Sequence, residues 1–334
     1  MFHEPETPMR PTLPKYLLRS IVRILPLLTL AASSFLTPGS AQGQLRERGP
    51  ILLDLPASTR ALSMGDAFAL GFRDSDVVFY QPGYLSRAQG FSGSIQWFGA
   101  SALATSLSAA GDWFSGGVAL GIRHLTYGAP GTEPLAGEDL TSLPADPGSL
   151  RNDGVVGTAE TVVSAGYGRS VLGVRVGAVG KLVAQRFGSL KATTGAVDLG
   201  AALSPGPVSM GLALRNLGRE MEIGGRKIPL PLALDLGATT ERAWVGPLDL
   251  AASGAIRYRE GGELIPSIGL EVAYWPVTGR TFAARIGYRE LPSGHTGKPL
   301  TFGAGFQGDD LVLEYAFQAF EEGDPSHRFT IGWR

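Results

Sequence analysis

Hydrophobic and polar residues alternate with a period of two along almost the whole chain after residue 88. This alternation is typical of β-strands whose two faces meet different surroundings. Fourteen segments show it, and no stretch among them sustains a helical period. The segments are 90–98, 102–110, 114–128, 158–168, 171–186, 190–203, 207–217, 230–239, 247–259, 265–275, 280–289, 298–307, 310–320 and 326–333. The sequence therefore predicts an all-β fold of about fourteen strands.

Charged residues keep to the row of each segment that lies opposite the large apolar residues. In the fifth segment, for example, Val174 and Leu182 share one row while Arg175 and Lys181 share the other; Arg186, at the segment's end, breaks the rule. A membrane barrel produces this pattern when the apolar row faces lipid and the charged row faces the lumen. The predicted lumen-facing charges are Arg175, Lys181, Asp249, Arg257, Arg259, Glu271, Arg285 and Glu314, with Asp198 and Asp235 in the same class.

Connection lengths separate a membrane barrel from a soluble β-protein with a shared core. Counted from the first segment, the odd connections include the long stretches 129–157, 218–229 and 290–297, whereas most even connections are tight turns. Long loops at one end and short turns at the other are typical of an antiparallel transmembrane β-barrel. Aromatic residues near segment ends suit the two interfacial girdles of such a barrel: Trp97, Trp113, Tyr127, Tyr258, Tyr274, Tyr288 and Trp333.

The first 41 residues have the organisation of a secretory signal peptide. Lys15, Arg19 and Arg23 precede the apolar run 24–36, and small residues lead to a predicted cut after Ala41. A short membrane anchor is the alternative, and translation starts at either Met1 or Met9. Export together with a barrel predicts location in the outer membrane of a Gram-negative-type bacterium, in contact with its lipid.

Residues 42–88 lie between this leader and the barrel, which we place at 89–334. They are too glycine-rich and irregular to form a barrel strand. A barrel of about fourteen strands has a lumen wider than its own side chains fill, and larger barrels are often closed by a plug. We therefore expect residues 42–88 to form an N-terminal hatch or plug.

Three motifs resemble one family of outer-membrane proteins. Residues 56–68, PASTRALSMGDAF, resemble the P-x-A-R-A-x-x-M-G-D-A opening of the PorV/PorQ proteins, which are relatives of the FadL fatty-acid transporters. Residues 74–85, DSDVVFYQPGYL, resemble that family's D-A-x-x-x-x-W-N-P-A-x-L segment, and residues 327–333, HRFTIGW, resemble its closing strand. The resemblance assigns hatch positions to Arg60, Ala61, Met64, Gly65, Asp66, Asp76, Gln81, Pro82, Gly83 and Leu85.

The resemblance implies a fourteen-stranded barrel with an N-terminal hatch and two possible activities. One is type IX-like protein secretion or surface attachment, with secreted cargo proteins and secretion-machine subunits as partners. The alternative is a FadL-like transporter that passes hydrophobic small molecules such as fatty acids through a lateral opening. The chain departs from the family pattern at Gln81, where asparagine is usual, at Gly83, where alanine is usual, and at Arg334, where an aromatic residue is usual.

Composition excludes several other classes of protein. The chain has no cysteine, so thiolate metal sites and disulfides are absent. Without residues 1–41 it keeps 25 basic and 28 acidic residues, a net charge of −3, which gives no basic surface for nucleic acid. The sequence at 303–308 matches GxGxxG but lies in an alternating segment, whereas a dinucleotide site needs it to open a helix.

Candidate chemistry is sparse, so we expect neither an enzyme nor a cofactor. The histidines His3, His124, His295 and His327 lack the spacing of zinc ligands. A barrel-embedded lipid hydrolase, with His124 and Thr126 or His327 and Ser326 as base and nucleophile, is a third and less favoured hypothesis. Oxygen ligands in the loop 129–157 are compatible with calcium, but no EF-hand spacing occurs there, and a solvated loop is the simpler interpretation.

Overall fold

A computed structural model describes residues 49–67, 74–99, 102–130, 155–292, 297–321 and 323–334. The predicted signal peptide, residues 42–48 of the predicted hatch, most of the acidic loop 129–157 and His295 lie outside the described residues. Among the helices of the described part, none has both the length and the apolar character that a transmembrane span requires.

The structure confirms the all-β class and the count of fourteen barrel strands. Every predicted segment corresponds to one strand, and the observed ends differ from the predicted ones by at most three residues. The barrel strands are β1 (Gly90–Phe98), β2 (Ala102–Trp113), β3 (Gly116–Pro130), β4 (Val155–Val171), β5 (Val174–Phe187), β6 (Leu190–Leu203), β7 (Val208–Gly218), β10 (Ala233–Thr240), β12 (Leu248–Arg259), β13 (Glu263–Val277), β14 (Arg280–Arg289), β15 (Gly297–Gln307), β16 (Leu311–Phe320) and β17 (Ser326–Trp333).

These strands form one closed antiparallel barrel. Each strand pairs with its neighbour in sequence, β7 continues to β10 and β10 to β12, and the first and last strands close the ring, with Phe91 of β1 opposite Trp333 of β17. Closure gives every strand of the ring a partner on both sides, as a hydrocarbon environment requires. We refer to the end with the connections β1–β2, β3–β4 and β7–β10 as the loop end and to the opposite end as the turn end.

Three short strands were not predicted. β8 (Met221–Ile223) and β9 (Arg226–Ile228) form a separate hairpin within the predicted connection 218–229, and β11 (Ala243–Val245) extends the turn-end edge of β12. Segments of three residues are too short for alternation to reveal. The hairpin buries Met221, Ile223 and Ile228 and exposes its other face.

We call the ring of fourteen barrel strands the wall. Its two faces separate apolar from ionic side chains as the alternation predicts. Leu182 is 55% exposed on the outer face, whereas its neighbour Lys181 on the inner face is 7% exposed. Of the seven aromatic residues expected in the girdles, six are exposed. Tyr127 is the exception and that expectation is wrong, because its side chain is buried in the lumen and its hydroxyl donates to Glu160 over 2.8 Å.

Residues 49–67 and 74–88, here called the N-terminal segment, contain only short helices. These are 3-10 helices at Ile51–Leu53, Ser75–Phe79 and Pro82–Arg87 and one α-helical turn, α1, at Thr59–Ser63. α1 begins where the Ser58 hydroxyl accepts a hydrogen bond from the amide of Ala61, the usual capping contact. Leu52, Met64, Val78, Tyr84 and Leu85 of the segment are fully buried.

Candidate functional site: the lumen wall and the N-terminal segment

Arginines of the wall bind backbone carbonyls of the N-terminal segment. Arg328 of β17 donates to the carbonyls of Pro56 and Ala57 at 2.9 and 2.7 Å. Arg123 of β3 donates to the carbonyls of Leu55 and Pro56, both at 3.2 Å. Since an irregular segment leaves carbonyls that no strand satisfies, these buried guanidinium groups supply the missing donors.

A single carboxylate binds the start of the segment. Glu160 of β4 is fully buried and accepts from the amides of Ile51 and Leu52 at 3.2 and 2.7 Å. It also accepts from the Tyr127 hydroxyl and, at 3.1 Å, from the Gln185 amide. The carboxylate therefore satisfies both amides at the start of the first 3-10 helix.

The predicted hatch residue Asp66 forms ion pairs with the opposite part of the wall. Its carboxylate lies 2.8 Å from Arg257 of β12 and 3.5 Å from Arg289 of β14. Arg257 also forms an ion pair with Asp235 of β10 at 2.7 Å. Asp235 in turn forms an ion pair with Arg215 of β7 at 3.3 Å. This chain of alternating charges links the segment to four strands.

Glu271 is the centre of a second ionic network. Its carboxylate, on β13, pairs with Arg60 of the segment at 3.2 Å, with Arg242 of the connection between β10 and β11 at 2.9 Å and with Arg285 of β14 at 2.7 Å. Arg285 also pairs with Glu314 of β16 at 2.9 Å. Buried charges persist only when they are compensated in this way.

Asp76 has an environment unlike that of the other hatch carboxylate. It is 5% exposed, and its only hydrogen bond in the described part is from the Ser108 hydroxyl at 2.6 Å. Burial raises its pKa to about 6, although the Ser108 hydrogen bond and the charge of Arg328 lower it; Asp74 and Glu314 raise it further. The carboxyl therefore titrates at a pH at which an exposed aspartate is fully ionised.

Glycines of the wall allow the backbone of residues 74–85, the second predicted hatch motif, to approach closely. A Cβ on Gly177 of β5 would overlap the carbonyl of Pro82, and one on Gly200 of β6 would overlap the side-chain oxygen of Gln81. Gly117 of β3 leaves the same space for the carbonyl of Leu85. These strand glycines therefore have a specific function on this side of the lumen.

On the other side of the lumen, a second group of glycines contacts residues 56–68, the first predicted hatch motif. Gly269 of β13 and Gly287 of β14 lie against the backbone of Met64, and Gly287 also lies against the amide of Gly65. Gly65 has a φ of 68°, a conformation that glycine adopts readily, and its amide donates to Thr301 over 3.0 Å. Both motifs thus contact parts of the wall where glycine leaves room for their backbone.

On the side of β1 to β6 the loop end of the lumen is largely apolar, whereas Arg259 and Arg289 make it ionic beside β12 to β14. A cluster of buried residues joins the start of the N-terminal segment, the inner faces of several strands and the β8–β9 hairpin. Phe98, Leu125, Val183, Phe187 and Phe320 come from the wall. The segment and the hairpin region contribute Ile51, Leu52, Leu53, Met221, Ile223, Ile228 and Leu230. We call these residues the outer apolar cluster.

The wall is irregular next to this cluster. A bulge interrupts the pairing of β6 with β7 after Val197, and Asn216 of β7 has a φ of 60°. The pairing of β7 with β10 ends at Arg215, so residues 216–218 lack a strand partner on that side. Asp198 accepts from the Asn216 amide at 2.7 Å and pairs with Lys181 at 2.6 Å, which holds the bulge closed from inside.

The remaining predicted lumen charges also point inward, with different roles. Arg175 stacks over the Tyr84 ring at 4.7 Å and donates to Ser204, and Arg259 pairs with Asp54 of the segment. Asp249 is half-buried near the turn end and makes no ion pair among the described residues. Arg257 and Glu271 contact the segment directly, whereas Lys181, Arg285 and Glu314 pair within the wall.

Four residues that contact the segment were not singled out as lumen charges: Arg123, Glu160, Arg215 and Arg328. Each lies in phase with the inward row of its strand. The alternation in each strand was therefore the sequence signal that could have identified these four residues.

The hydrolase hypothesis fails for one of its two pairs. Ser326 is buried on the inner face of β17, where Gln96 donates to it, whereas His327 points to the other face and contacts the Tyr315 hydroxyl at 2.8 Å. Adjacent strand residues face opposite sides of a sheet, so these two cannot act as base and nucleophile. His124 instead contacts Thr161 across the strands at 2.9 Å.

The fold is similar to that of two solved outer-membrane proteins. The crystal structure of the toluene transporter TodX of Pseudomonas putida matches 87% of this chain and 98% of its own at 13% identity, with a TM-score of 0.51. A FadL homologue of Pseudomonas aeruginosa matches 83% of this chain and 97% of its own at 10% identity, also with a TM-score of 0.51. No protein-family model and no curated protein matches the sequence. The resemblance to the PorV/PorQ proteins, which rests on sequence motifs, stays a prediction. The chain has the fold of FadL-type outer-membrane barrels, and this fold supports an outer-membrane location.

Proposed function

We propose that the protein is a FadL-like channel that passes small hydrophobic molecules across the outer membrane, with the N-terminal segment as its plug. The observation that carries this proposal is the outer apolar cluster. The lumen of a channel for polar solutes is polar along its length, whereas here one side of the loop end is formed by closely packed aromatic and aliphatic side chains. A hydrophobic molecule that enters between these side chains leaves water for apolar surroundings.

The part of the lumen lined by β12 to β14 is unsuited to the same molecule. Asp66, Arg257, Glu271 and Arg285 form compensated ionic networks there. An apolar molecule crossing this region would separate charges without replacing their partners, which is costly. Passage straight through the barrel is therefore unfavourable while the N-terminal segment is in place.

The bulge next to the cluster offers a route into the membrane instead. Residues 216–218 lack a strand partner on the β10 side, and the bulge is held by Lys181, Asp198 and Asn216. Displacing one loop contact, from the Asn216 side chain to the carbonyl of Pro231 at 2.9 Å, would widen the wall at this point. A hydrophobic molecule leaving here enters lipid and avoids the ionic networks.

The alternative activity implied by the sequence resemblance thus has more support than the secretion role. The neighbours named above are described as a transporter and a FadL homologue, which also fits a non-enzymatic protein. Secreted cargo and secretion-machine subunits remain expectations of the PorV/PorQ resemblance alone.

Uptake of labelled toluene and labelled oleate by cells that depend on this protein tests the proposal. Ile228→Asn places an amide in the outer apolar cluster, and we expect it to reduce uptake severalfold. Lys227→Asn changes the adjacent, exposed residue of the same hairpin and serves as the matched control. Equal uptake by the unchanged protein, both variants and cells without the protein would overturn the proposal, and co-purification of secreted proteins would then favour the secretion role.

A further inference from the structure

Two basic residues lie on the lipid-facing side of the wall and directly face each other. Arg186 of β5 and Lys191 of β6 are cross-strand partners, and both are exposed. Like charges in this position repel each other and destabilise a strand pair. Among the described residues neither forms an ion pair or a side-chain hydrogen bond. The pair therefore has a repulsion that the described part of the chain does not offset.

The height of the pair in the wall is that of the lipid headgroups. The outward apolar row of β5 runs from Val174 through Leu182, and Arg186 follows at the loop end. About ten tilted residues cross the hydrocarbon core, so the row fills the core and Arg186 with Lys191 lies just beyond it. The anionic phosphates of lipid headgroups are found at this level.

A groove on the outer surface lies below the pair. It has a volume of about 810 Å³ and runs across β4 to β7. Its floor is Gly180 and Gly195, where an added Cβ would have only backbone oxygens at 3.9 Å as neighbours. The sides and one end are formed by Val163, Leu182, Val197, Leu217 and Arg219.

The groove and the pair are aligned along one strand. Leu182, opposite Gly195, lies four residues from Arg186, a distance of about 13 Å along the strand. A lipid whose headgroup lies at Arg186 therefore has its acyl chain at the level of the groove.

We propose that this face binds an anionic, phosphate-bearing lipid of the surrounding leaflet. The headgroup phosphate lies between the Arg186 guanidinium and the Lys191 ammonium, and an acyl chain lies in the groove over Gly180 and Gly195. A phosphate between two cations replaces their repulsion with charge-assisted hydrogen bonds. The absence of side chains at the two glycines leaves room for the chain. This inference concerns the outer surface and holds whether or not the lumen conducts hydrophobic molecules.

Binding is measurable by native mass spectrometry of the full-length barrel in detergent, titrated with phosphatidylglycerol, with phosphatidylcholine or with inorganic phosphate. We expect one phosphatidylglycerol to be retained in preference to phosphatidylcholine. The double variant Arg186→Gln, Lys191→Gln should weaken this binding by about tenfold or more, as the loss of charge-assisted hydrogen bonds implies. The control Arg169→Gln, Arg280→Gln removes two exposed basic residues at the turn end and should leave it unchanged.

A second variant tests the groove separately. Gly195→Leu fills the floor without a clash in the protein, and we expect it to weaken binding of long-chain but not of short-chain phosphatidylglycerol. Folding of each variant is checked by its heat-dependent gel mobility. Any of three outcomes would overturn the proposal. The two double variants could weaken binding equally, inorganic phosphate could bind as strongly as the lipid, or the double variant of Arg186 and Lys191 could retain the lipid.

Discussion

Asp66 of the N-terminal segment accepts a hydrogen bond of 2.8 Å from Arg257 of β12, a residue 191 positions further along the chain. Both side chains are mostly buried, at 12% and 15% exposed. The contact belongs to the ionic network that also includes Asp235 and Arg289. It shows how the first hatch motif is held by the wall that it precedes.

Asp66→Asn should loosen the segment without preventing barrel formation. Arg257 keeps Asp235, but Arg289 loses its carboxylate, and we expect a cost of about 2 kcal/mol for a partly exposed network. Limited proteolysis should cleave the N-terminal segment faster in this variant. Asp309→Asn, an exposed change on a turn-end connection, is the control. Unchanged cleavage would show that the ion pair does not hold the segment.

Gly177→Ala should displace the second hatch motif. The new methyl group would overlap the carbonyl of Pro82, and overpacking of this kind costs about 1–3 kcal/mol. Gly180→Ala, three residues away on the same strand but on the outer face, meets open space and is the matched control. The free energy of unfolding in urea distinguishes them. Equal values for the two variants would contradict the close approach.

Stability of the segment should fall as pH rises from about 4 to about 6. Burial raises the Asp76 pKa from 3.8 to about 6 in the folded protein. The folded state therefore binds the proton more tightly than the unfolded state, so this contribution is present below pH 3.8 and is lost as pH passes 6. Two pKa units correspond to about 3 kcal/mol as an upper order of magnitude.

Asp76→Asn removes this titration. Protease protection of the N-terminal segment, compared at pH 5 and pH 7.5, should differ in the unchanged protein, and the difference should be smaller in the variant. Asp112→Asn alters an exposed carboxylate and should retain the difference. A variant with the full pH dependence would assign it to another group.

Lys181→Met should strongly destabilise the wall at the bulge. It leaves Asp198 fully buried without its cation, and loss of one partner of a buried pair costs about 3–5 kcal/mol. The double variant Lys181→Met, Asp198→Leu removes both charges and should recover much of that loss. The temperature at which gel mobility changes is the readout. A double variant less stable than the single one would show that Asp198 acts chiefly through the amide of Asn216.

Strands could be predicted from the sequence because lipid and lumen impose opposite requirements on neighbouring residues. Lys181 and Leu182 illustrate this, since one is buried in an ion pair and the other is exposed on the outer face. Tyr127 was misplaced because aromatic residues near strand ends are typical of the girdles, although it lies in phase with Arg123 on the inward row of β3. The phase gives the correct side, and the hydroxyl contact with Glu160 agrees with it.

The contacts of the candidate site could not be predicted, because they join distant parts of the chain. Arg328 lies in phase with the inward row of its strand, but its acceptor, Ala57, is 271 residues away. Alternation gives the direction of a side chain and not its partner. Likewise, glycine at position 177 was visible as composition only, and its meaning depends on where Pro82 lies in space.

The barrel closes through β1 and β17, and β17 also carries the guanidinium group that binds Pro56 and Ala57. The last strand of the barrel therefore completes the ring and also holds the segment that precedes the first strand. Opening the ring at β17 would remove both sets of contacts together.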